Sequence, residues 1–336
     1  MRIIFMGTPD FAVPSLDHLV SNGYRPTAVA TGPDRPRGRG RKISPTPVKR
    51  AALRHGIDLI WQPESVKDPD FAADVRDHEP DLIVVVAFRI LPPDVFRAAR
   101  LGAFNLHGSL LPRYRGAAPI NHAIMQGETT TGVTTFFLRE QVDTGSIILQ
   151  KEMSIGPDET AGELHDRMME IAAGAVVETV RLIERGEAHP RKQDDTLATP
   201  APKIHREDCR IRWDRPAHEV HNQIRGLSPY PGAWTVHDDT QLKIFRARLN
   251  SSAPATIDEK TAAHDAAADT TTAPDFSPFS DNVSQPGTVV IDDERLVIVC
   301  RSGAVEALEI QQEGKQRLKA GDFLRGYPLT AGDVFG

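Results

Sequence analysis

Apolar runs and amphipathic stretches alternate along the first half of the chain. Residues 81–87 form an apolar run that is typical of a parallel strand buried on both faces. Residues 2–6 predict an earlier strand, and apolar positions recur at helical spacing through residues 13–20. Strand, turn and helix in this order predict a Rossmann-like, doubly wound α/β domain with a parallel sheet. The pattern also predicts strands at 27–31, 58–62 and 104–107, and helices at 71–76, 117–125 and 160–186.

The pattern changes after residue 203. A short helix is predicted to start at Asp214, and apolar and polar residues then alternate over 242–249, 295–300 and 305–310. Short alternating strands of this kind predict a small β-barrel. Residues 187–202 contain three prolines and predict a linker. The sequence therefore predicts two domains, 1–186 and 203–336, with a linker at 187–202.

Residues 250–286 interrupt the second domain. They are rich in Ala, Thr, Ser, Asp and Pro and hold six acidic residues and one lysine. This composition cannot bury enough apolar surface to fold, and it predicts a disordered expansion of a hairpin loop. Most of the formal charge of −6 lies in this segment. The acidic balance of the whole chain is therefore a poor argument against a nucleic-acid partner.

Two polar side chains mark the carboxyl end of the strand at 104–107. Asn105 and His107 are two positions apart, so they project from the same face while Leu106 points to the core. Glycine and proline in residues 108–116 end the strand and predict a loop folded over that face. Open α/β sheets build their sites at this end of the strands. A histidine beside an asparagine is also often a hydrogen-bonded structural pair, and the spacing alone leaves both interpretations open.

An acidic segment later in the chain favours a catalytic role for Asn105 and His107 over a structural one. Residues 141–145 have the sequence Gln-Val-Asp-Thr-Gly and follow the apolar stretch 133–138. If Asp143 lies against His107, its carboxylate favours the charged imidazolium and fixes the tautomer of the ring. Asn105, His107 and Asp143 are therefore the candidate catalytic residues.

Length, cysteines and missing motifs exclude several classes of protein. A chain of 336 residues accommodates two domains. No apolar run approaches the roughly 20 residues that span a bilayer, and Met1 leads directly into a strand, so we expect no signal peptide. Cys209 and Cys300 match no metal-ligand spacing and suit a reduced cytoplasm, so no metal is expected. The Gly-x-Gly-x-x-Gly pattern is absent, which disfavours NAD binding.

A strongly basic segment spans residues 33–50. It holds five Arg and two Lys against one Asp, together with four Pro and two Gly, and it predicts neither helix nor strand. Such a run is often only a solvated, flexible loop. It is also typical of a loop that follows the phosphates of a nucleic acid. The candidate contacts are Arg35, Arg37, Arg39, Arg41 and Lys42.

The motifs resemble those of a known family. Asn105-Leu-His107, the following Ser-Leu-Leu-Pro-Arg-Tyr-Arg-Gly at 109–116 and Asp-Thr-Gly at 143–145 are similar to the folate-dependent formyltransferases. The turn Gly-Thr-Pro-Asp-Phe at 7–11 also resembles the start of that family, and the resemblance covers nearly the whole chain. The match is closest to members that formylate methionyl-initiator tRNA, because in these members a basic insertion resembling residues 33–50 contacts the tRNA acceptor end.

The resemblance implies a reaction and a set of contacts. A formyl group would pass from 10-formyltetrahydrofolate to the α-amino group of methionine esterified to initiator tRNA, without a metal. An OB-like C-terminal barrel would help to hold the tRNA. The segment at 87–93 departs from the usual family form, being one residue shorter and carrying Arg89 where glycine is usual. The implied folate contacts are Ser109, Leu110, Leu111 and Pro112 in one loop and Phe88, Ile90 and Leu91 in the other.

The candidate residues fit that chemistry. An amine that attacks a formyl carbon creates an oxyanion, which the Asn105 amide and a protonated His107 would stabilise. Asp143 would keep His107 charged and help to relay protons. Two other enzymes on the same core stay open, an amino-sugar formyltransferase and a formyltetrahydrofolate hydrolase, as does a non-catalytic RNA-binding protein. We expect a cytoplasmic monomer.

Overall fold

A computed structural model describes residues 1–37, 42–250 and 285–336, and it divides the chain into two compact units. The first unit comprises residues 1–123, 128–157 and 162–203, and the second comprises 124–127, 158–161 and 204–336. The strands of the first part of the chain are β1 Ile3–Gly7, β2 Ala28–Ala30, β3 Arg35–Arg37, β4 Lys42–Ser44, β5 Ile60–Trp61, β6 Leu82–Val86, β7 Ala103–His107, β8 Arg115–Gly116, β9 Thr130–Phe137, β10 Ile147–Ser154 and β11 Pro200–Ala201. Its helices are α1 Val13–Ser21, α2 Pro47–Arg54, α3 Pro69–Asp77, α4 Pro93–Phe96, α5 Pro119–Met125 and α6 Ala161–Glu184.

The first unit is built on a seven-stranded sheet in the order β10-β9-β7-β6-β1-β2-β5. The strands from β7 to β5 run parallel, and β9 and β10 add an antiparallel edge. Ile4, Met6, Ile83 and Val85 belong to one core with residues of α3 and α4. Alternate residues such as Phe5 point to the opposite face and are also fully buried. Burial on both faces explains the continuous apolar runs and confirms the predicted α/β sheet.

The described residues of the second unit form an antiparallel sheet and two helices that follow residue 204. Its strands follow the order β12-β13-β16-β15-β14, with β17 paired to β16. The alternation seen in the sequence places one apolar face inward, where it packs with α7. The elements are α7 Ala217–Leu227, β12 Ala233–His237, β13 Thr240–Asn250, β14 Val289–Asp292, β15 Arg295–Val299, β16 Ala304–Gln312, β17 Arg317–Lys319 and α8 Ala320–Gly326.

The chain's last four described residues join the two edges of that sheet. Gly336 exchanges two backbone hydrogen bonds with Val236 of β12, at 3.1 and 2.9 Å. The amide of Val289 in β14 donates to the carbonyl of Asp333 at 2.7 Å. Both edges therefore find backbone partners, which is how a sheet closes into a barrel. The predicted small barrel is confirmed in this form.

The segment predicted as a linker is instead folded into the first unit. Arg191 pairs with Ile147 through two backbone hydrogen bonds of 2.8 Å, and β11 pairs in parallel with β8. Gln193 in the same segment is 5% exposed. Prolines here do not indicate flexibility, because the neighbouring residues supply the backbone donors and acceptors. In this part of the chain, the division between the two units falls between Lys203 and Ile204.

Two further expectations were wrong in detail. The basic segment contains β3 paired with β4 and the start of α2, although no regular structure was predicted there. Proline is tolerated because Pro47 occupies the first helical turn, where Thr46 caps the helix by accepting a hydrogen bond from the amide of Lys49.

Residues 250–286 do not connect a hairpin, since the flanking β13 and β14 are not paired with each other. Residues 251–284, predicted to be disordered, lie outside the described part of the chain.

Candidate active site

Asn105 and His107 leave the same face of β7 and line one cavity of about 650 Å³ in the first unit. Asp143, from the loop after β9, lines it as well. The structure thus brings together the three residues predicted to be catalytic. Among the described residues, no hydrogen-bond partner is seen for the side-chain amide of Asn105. That amide is therefore available to a bound molecule.

The imidazole of His107 is held from two sides. Its Nε2 lies 2.8 Å from the backbone carbonyl oxygen of Tyr114. A carbonyl can only accept, so Nε2 carries a proton and donates it. Nδ1 lies 3.8 Å from Oδ2 of Asp143, and the two side chains are only 7% and 10% exposed. This distance is too long for a direct hydrogen bond, which leaves Nδ1 as the ring nitrogen able to serve a substrate.

The two partners of His107 belong to backbone segments with unusual geometry. Tyr114 has φ 62° and Asp143 has φ 55°, both in the left-handed region that non-glycine residues avoid. At Gly145 a Cβ atom would lie 1.5 Å from the carbonyl oxygen of Phe137, so the turn after Asp143 has no room for a side chain. The amide of Gly116 donates to Oδ2 of Asp143 at 3.0 Å. Strain of this kind is concentrated at functional sites.

The apolar wall of the cavity contains the predicted folate contacts Phe88, Ile90 and Leu91. Ile90 is 70% exposed, which is unusual for a large aliphatic side chain and leaves it open to a ligand. Arg89, the departure from the family pattern, donates from its guanidinium to the carbonyls of Pro63 and Glu64, each at 2.8 Å. Burial, with the nearby charge of Arg35, lowers the pKa of Arg89. Its side chain thus fastens the shortened segment to a neighbouring turn.

The loop from Ser109 to Pro112 is placed differently from the expectation. None of its four residues, Ser109, Leu110, Leu111 and Pro112, lines the cavity. The hydroxyl of Ser109 donates to the carbonyl of Arg113 at 2.7 Å, and Leu111 packs with Phe136 and Ile147 in a small buried cluster. These side chains are used to build the turn, so the folate contacts assigned to them gain no support from the cavity.

Other lining residues were missed by reasoning from the sequence. Phe11 follows β1, and His165 of α6 packs against it with 5.1 Å between the ring centroids. The two are 154 positions apart in the chain, so no local pattern pairs them. The turn at 7–11 was the one available signal, through its resemblance to the family.

The base of the basic segment is fixed by a polar network. Nζ of Lys49 lies 2.6 Å from Oδ2 of Asp34, and Nε2 of Gln62 donates to Oδ1 of the same carboxylate at 2.7 Å. These hydrogen bonds, that from Lys49 first, lower the pKa of Asp34. Arg35 is exposed. Arg39 and Arg41 lie outside the described residues, as do the side chains of Arg37 and Lys42.

Comparison with known families agrees with this geometry. The family model described as formyl transferase matches residues 1–180, and a second described as formyl transferase, C-terminal domain, matches residues 203–328. The chain belongs to the formyl transferase family. Similar family members include the methionyl-tRNA formyltransferase of Chlorobium luteolum, 49% identical over 97% of each chain. That of Moorella thermoacetica is 44% identical over 100% of this chain and 99% of its own.

Solved structures of other formyltransferases share the fold. An N-formyltransferase of Helicobacter canadensis, in complex with folinic acid and dTDP-3-aminofucose, covers 91% of this chain and 98% of its own at 19% identity, with a TM-score of 0.62. A methionyl-tRNA formyltransferase from Clostridium thermocellum covers 75% of this formyltransferase and 95% of its own chain at 18% identity, with a TM-score of 0.52.

Residues 1–37, 42–250 and 285–336 contain neither a candidate membrane-spanning helix nor a candidate metal-binding cluster. No helix there has the length and apolar character needed to cross a membrane. In the same ranges, no group of three or more His, Cys, Asp or Glu side chains is placed to hold a metal ion.

Proposed function

We propose that this formyltransferase transfers the formyl group of 10-formyltetrahydrofolate to the α-amino group of methionyl-initiator tRNA, for translation initiation. The observation that carries the proposal is His107, held between the Tyr114 carbonyl and Asp143 beside the free amide of Asn105. Relatives named for this activity match the chain along its whole length. We also propose that the enzyme acts as a monomer in the cytoplasm, where it would meet its tRNA substrate.

The cavity suits the proposed formyl donor. Its volume of about 650 Å³ lies in the range of pockets that hold molecules of this size. Phe88, Ile90 and Leu91 offer an apolar surface to a flat ring system. Asn105 and His107 line the same cavity and supply polar groups to it. The donor brings an activated formyl group, and the side chains described here supply orientation and charge.

Each polar group has a defined part in the proposed reaction. The amine attacks the formyl carbon, and the carbonyl oxygen becomes an oxyanion that the Asn105 amide and Nδ1–H of His107 stabilise. Oδ2 of Asp143 lies 3.8 Å from Nδ1, on the side of the ring that faces the reacting groups. The new carbon–nitrogen bond forms first, and the bond to the folate nitrogen breaks when the oxyanion reverts to a carbonyl. A proton passes from the amine to that nitrogen, with Asp143 and His107 as its relay.

The basic segment is proposed to hold the tRNA acceptor end. Arg35 is exposed on β3, and the network of Asp34, Lys49 and Gln62 anchors the base of the segment. Arg37, Arg39, Arg41 and Lys42 are proposed to bind phosphates together with Arg35. The C-terminal barrel is proposed as a second tRNA contact.

An acceptor competition tests the proposal. Labelled 10-formyltetrahydrofolate is offered methionyl-initiator tRNA, free methionine, an amino sugar and water. We expect label on the charged tRNA alone. Label on the amino sugar would make the enzyme a sugar formyltransferase, and formate release would make it a hydrolase. Failure to consume the donor, with tRNA still bound, would replace the proposal with an RNA-binding function.

A further inference from the structure

Gln193 joins the two loops that hold His107. Its Nε2 donates to the carbonyl oxygens of Asp143 and Gly145, each at 2.8 Å. Its Oε1 accepts from Nε and Nη2 of Arg115, at 3.1 and 2.7 Å. The side chain is 5% exposed, so all of these hydrogen bonds form away from water. An amide is required for this arrangement, because it must donate on one side and accept on the other.

The two loops carry the two contacts of the histidine. Arg115 follows Tyr114, whose carbonyl accepts the hydrogen bond from Nε2 of His107. Asp143 faces Nδ1 of the same ring. The loops also meet directly where the amide of Gly116 donates to Oδ2 of Asp143 at 3.0 Å. Gln193 is thus hydrogen-bonded to the backbone of Asp143 itself and to the side chain of Arg115, the residue after Tyr114.

The Asp143 loop needs support from outside. The loop keeps Asp143 in the left-handed region at φ 55°, which is less favourable than negative φ, although aspartate tolerates it better than most residues. Inside the loop, the hydroxyl of Thr144 donates to the carbonyl of Gln141 at 2.8 Å. The two bonds from Gln193 fix the carbonyls on either side of Thr144, and so limit how far the carboxylate can move from His107.

We propose that Gln193 is a positioning residue for formyl transfer, acting through the separation of Asp143 and His107. The proposal rests on the function proposed above. Gln193 does not line the cavity, so its loss should affect the chemical step more than the binding of either substrate. Small displacements of a catalytic group are enough for a large loss of rate.

Two substitutions test the role. Gln193→Leu removes the hydrogen bonds to both loops. Gln193→Glu retains an acceptor for Arg115 but places a carboxylate oxygen against the carbonyl oxygens of Asp143 and Gly145. We expect each to lower kcat by ~10- to 100-fold, because the Asp143 loop is released. KM for the folate should change by less than about threefold. The pH profile of kcat should also change in both variants, because Asp143 is no longer held at a fixed distance from His107.

A double-mutant cycle separates positioning from general support of the fold. If Gln193 acts through Asp143, adding Gln193→Glu to Asp143→Asn should cost less than about twofold in kcat. Asp195→Asn is the matched control, because it removes the exposed ion pair of Arg115 at 2.7 Å and leaves the amide bridge intact. This control should retain its kcat and pH profile. Melting temperatures show whether each variant is folded.

The failure of this inference is distinguishable from failure of the proposed function. Ring-nitrogen NMR shifts of His107, recorded without substrates, should change in Gln193→Glu and stay unchanged in Asp195→Asn whatever the acceptor is. Unchanged shifts with an unchanged kcat would overturn the positioning role. So would a loss of kcat that is fully additive with Asp143→Asn and leaves the pH profile in place. A wild-type enzyme inactive on methionyl-tRNA would overturn the proposed function instead.

Discussion

Asn105 and His107, two polar groups of the candidate site, differ in how firmly the protein orients them. The Tyr114 carbonyl holds Nε2 of His107 and the Asp143 carboxylate lies 3.8 Å from Nδ1, so the direction of the ring is set before a substrate arrives. Asn105 has no side-chain hydrogen bond within the described residues and can turn toward whichever oxygen is bound. Both donors must point at the oxyanion to stabilise it, and His107 is the one that the protein already holds in place.

We expect His107→Ala to lower turnover by about 10³-fold, because it removes both an oxyanion donor and a proton carrier. Affinity for methionyl-tRNA should be nearly unchanged, since the ring is 6% exposed and offers little surface to a tRNA. Single-turnover kinetics and filter binding measure the two effects. His18→Ala, on the surface of α1, is the control. Equal losses of turnover and affinity would show that His107 is structural.

At the scale of elements, the basic segment combines an anchored base with an exposed strand pair. Lys49 and Gln62 bind the Asp34 carboxylate at the base, and β3 and β4 pair beyond it. Such an arrangement presents positive charge at a defined place on the unit. Its contribution to tRNA binding should therefore be electrostatic and additive over its arginines.

Alanine at Arg35, Arg37, Arg39 and Arg41 should weaken tRNA binding and reduce the salt dependence of the binding constant. Each lost phosphate contact lowers the slope of log K against log salt by roughly 0.7 to 0.9. Titrations at several salt concentrations measure the slope. Alanine at the exposed Arg76 and Arg185 is the control. A slope identical to that of the wild type would mean that the segment is only solvated surface.

Glu306 on β16 organises one face of the barrel. Its carboxylate is 6% exposed and accepts hydrogen bonds from Arg248, at 3.0 Å, and Arg295, at 2.8 Å. Burial raises the pKa of Glu306, but the two arginines outweigh burial and hold the pKa below its usual value. The charged form is therefore the one that stabilises the folded barrel.

We expect Glu306→Gln to lower the free energy of unfolding by about 1 to 2 kcal/mol at pH 7, a value kept small because both arginines are partly exposed. Because the folded pKa is depressed, the contribution is complete above the unfolded value near about 4.3 and is lost as the pH falls through the folded value. The difference in unfolding free energy between the wild type and Glu306→Gln should therefore become smaller in acid. Urea unfolding at several pH values measures this difference. Glu309→Gln on the same strand is the control, and a gap independent of pH would contradict the assignment.

At the scale of the whole molecule, the chain consists of two units with separate cores. Every residue lining the cavity belongs to the first unit, and the barrel has its own apolar interior. The barrel is completed by its last residues, which hydrogen-bond to β12 and β14. Folate binding should consequently act on one unit alone.

5-Formyltetrahydrofolate should stabilise the first unit selectively. At 100 times its Kd, a ligand that binds only the folded state adds about 2.7 kcal/mol. Calorimetry should show the transition of the first unit moving to higher temperature while that of the barrel stays in place. Hydrogen exchange at β7 and β16 identifies each transition. Equal shifts in both would mean that the two units unfold together.

The hydrophobic periodicity of the sequence was enough to predict a strand where the pattern of burial is the same along the whole strand. The run at 82–86 is buried on both faces, and the stretch at 242–249 on one, so each pattern indicated its structure directly. The pairing of Asn105 and His107 followed from the two-residue repeat of a strand. The prediction of a linker at 187–202 was wrong. Proline content indicates the local backbone conformation of a segment, but it does not indicate which other segments will form hydrogen bonds with it.

The sequence by itself determined the α/β class, the strand that carries Asn105 and His107, and the acidic loop that supplies Asp143. These depend on neighbours in the chain, which a pattern records. Only the tertiary structure decided that Tyr114 holds Nε2, that His165 lines the cavity, and that Gln193 bridges two loops. Those contacts join residues whose separation in sequence carries no signal, because packing and hydrogen-bond satisfaction are settled when the elements meet.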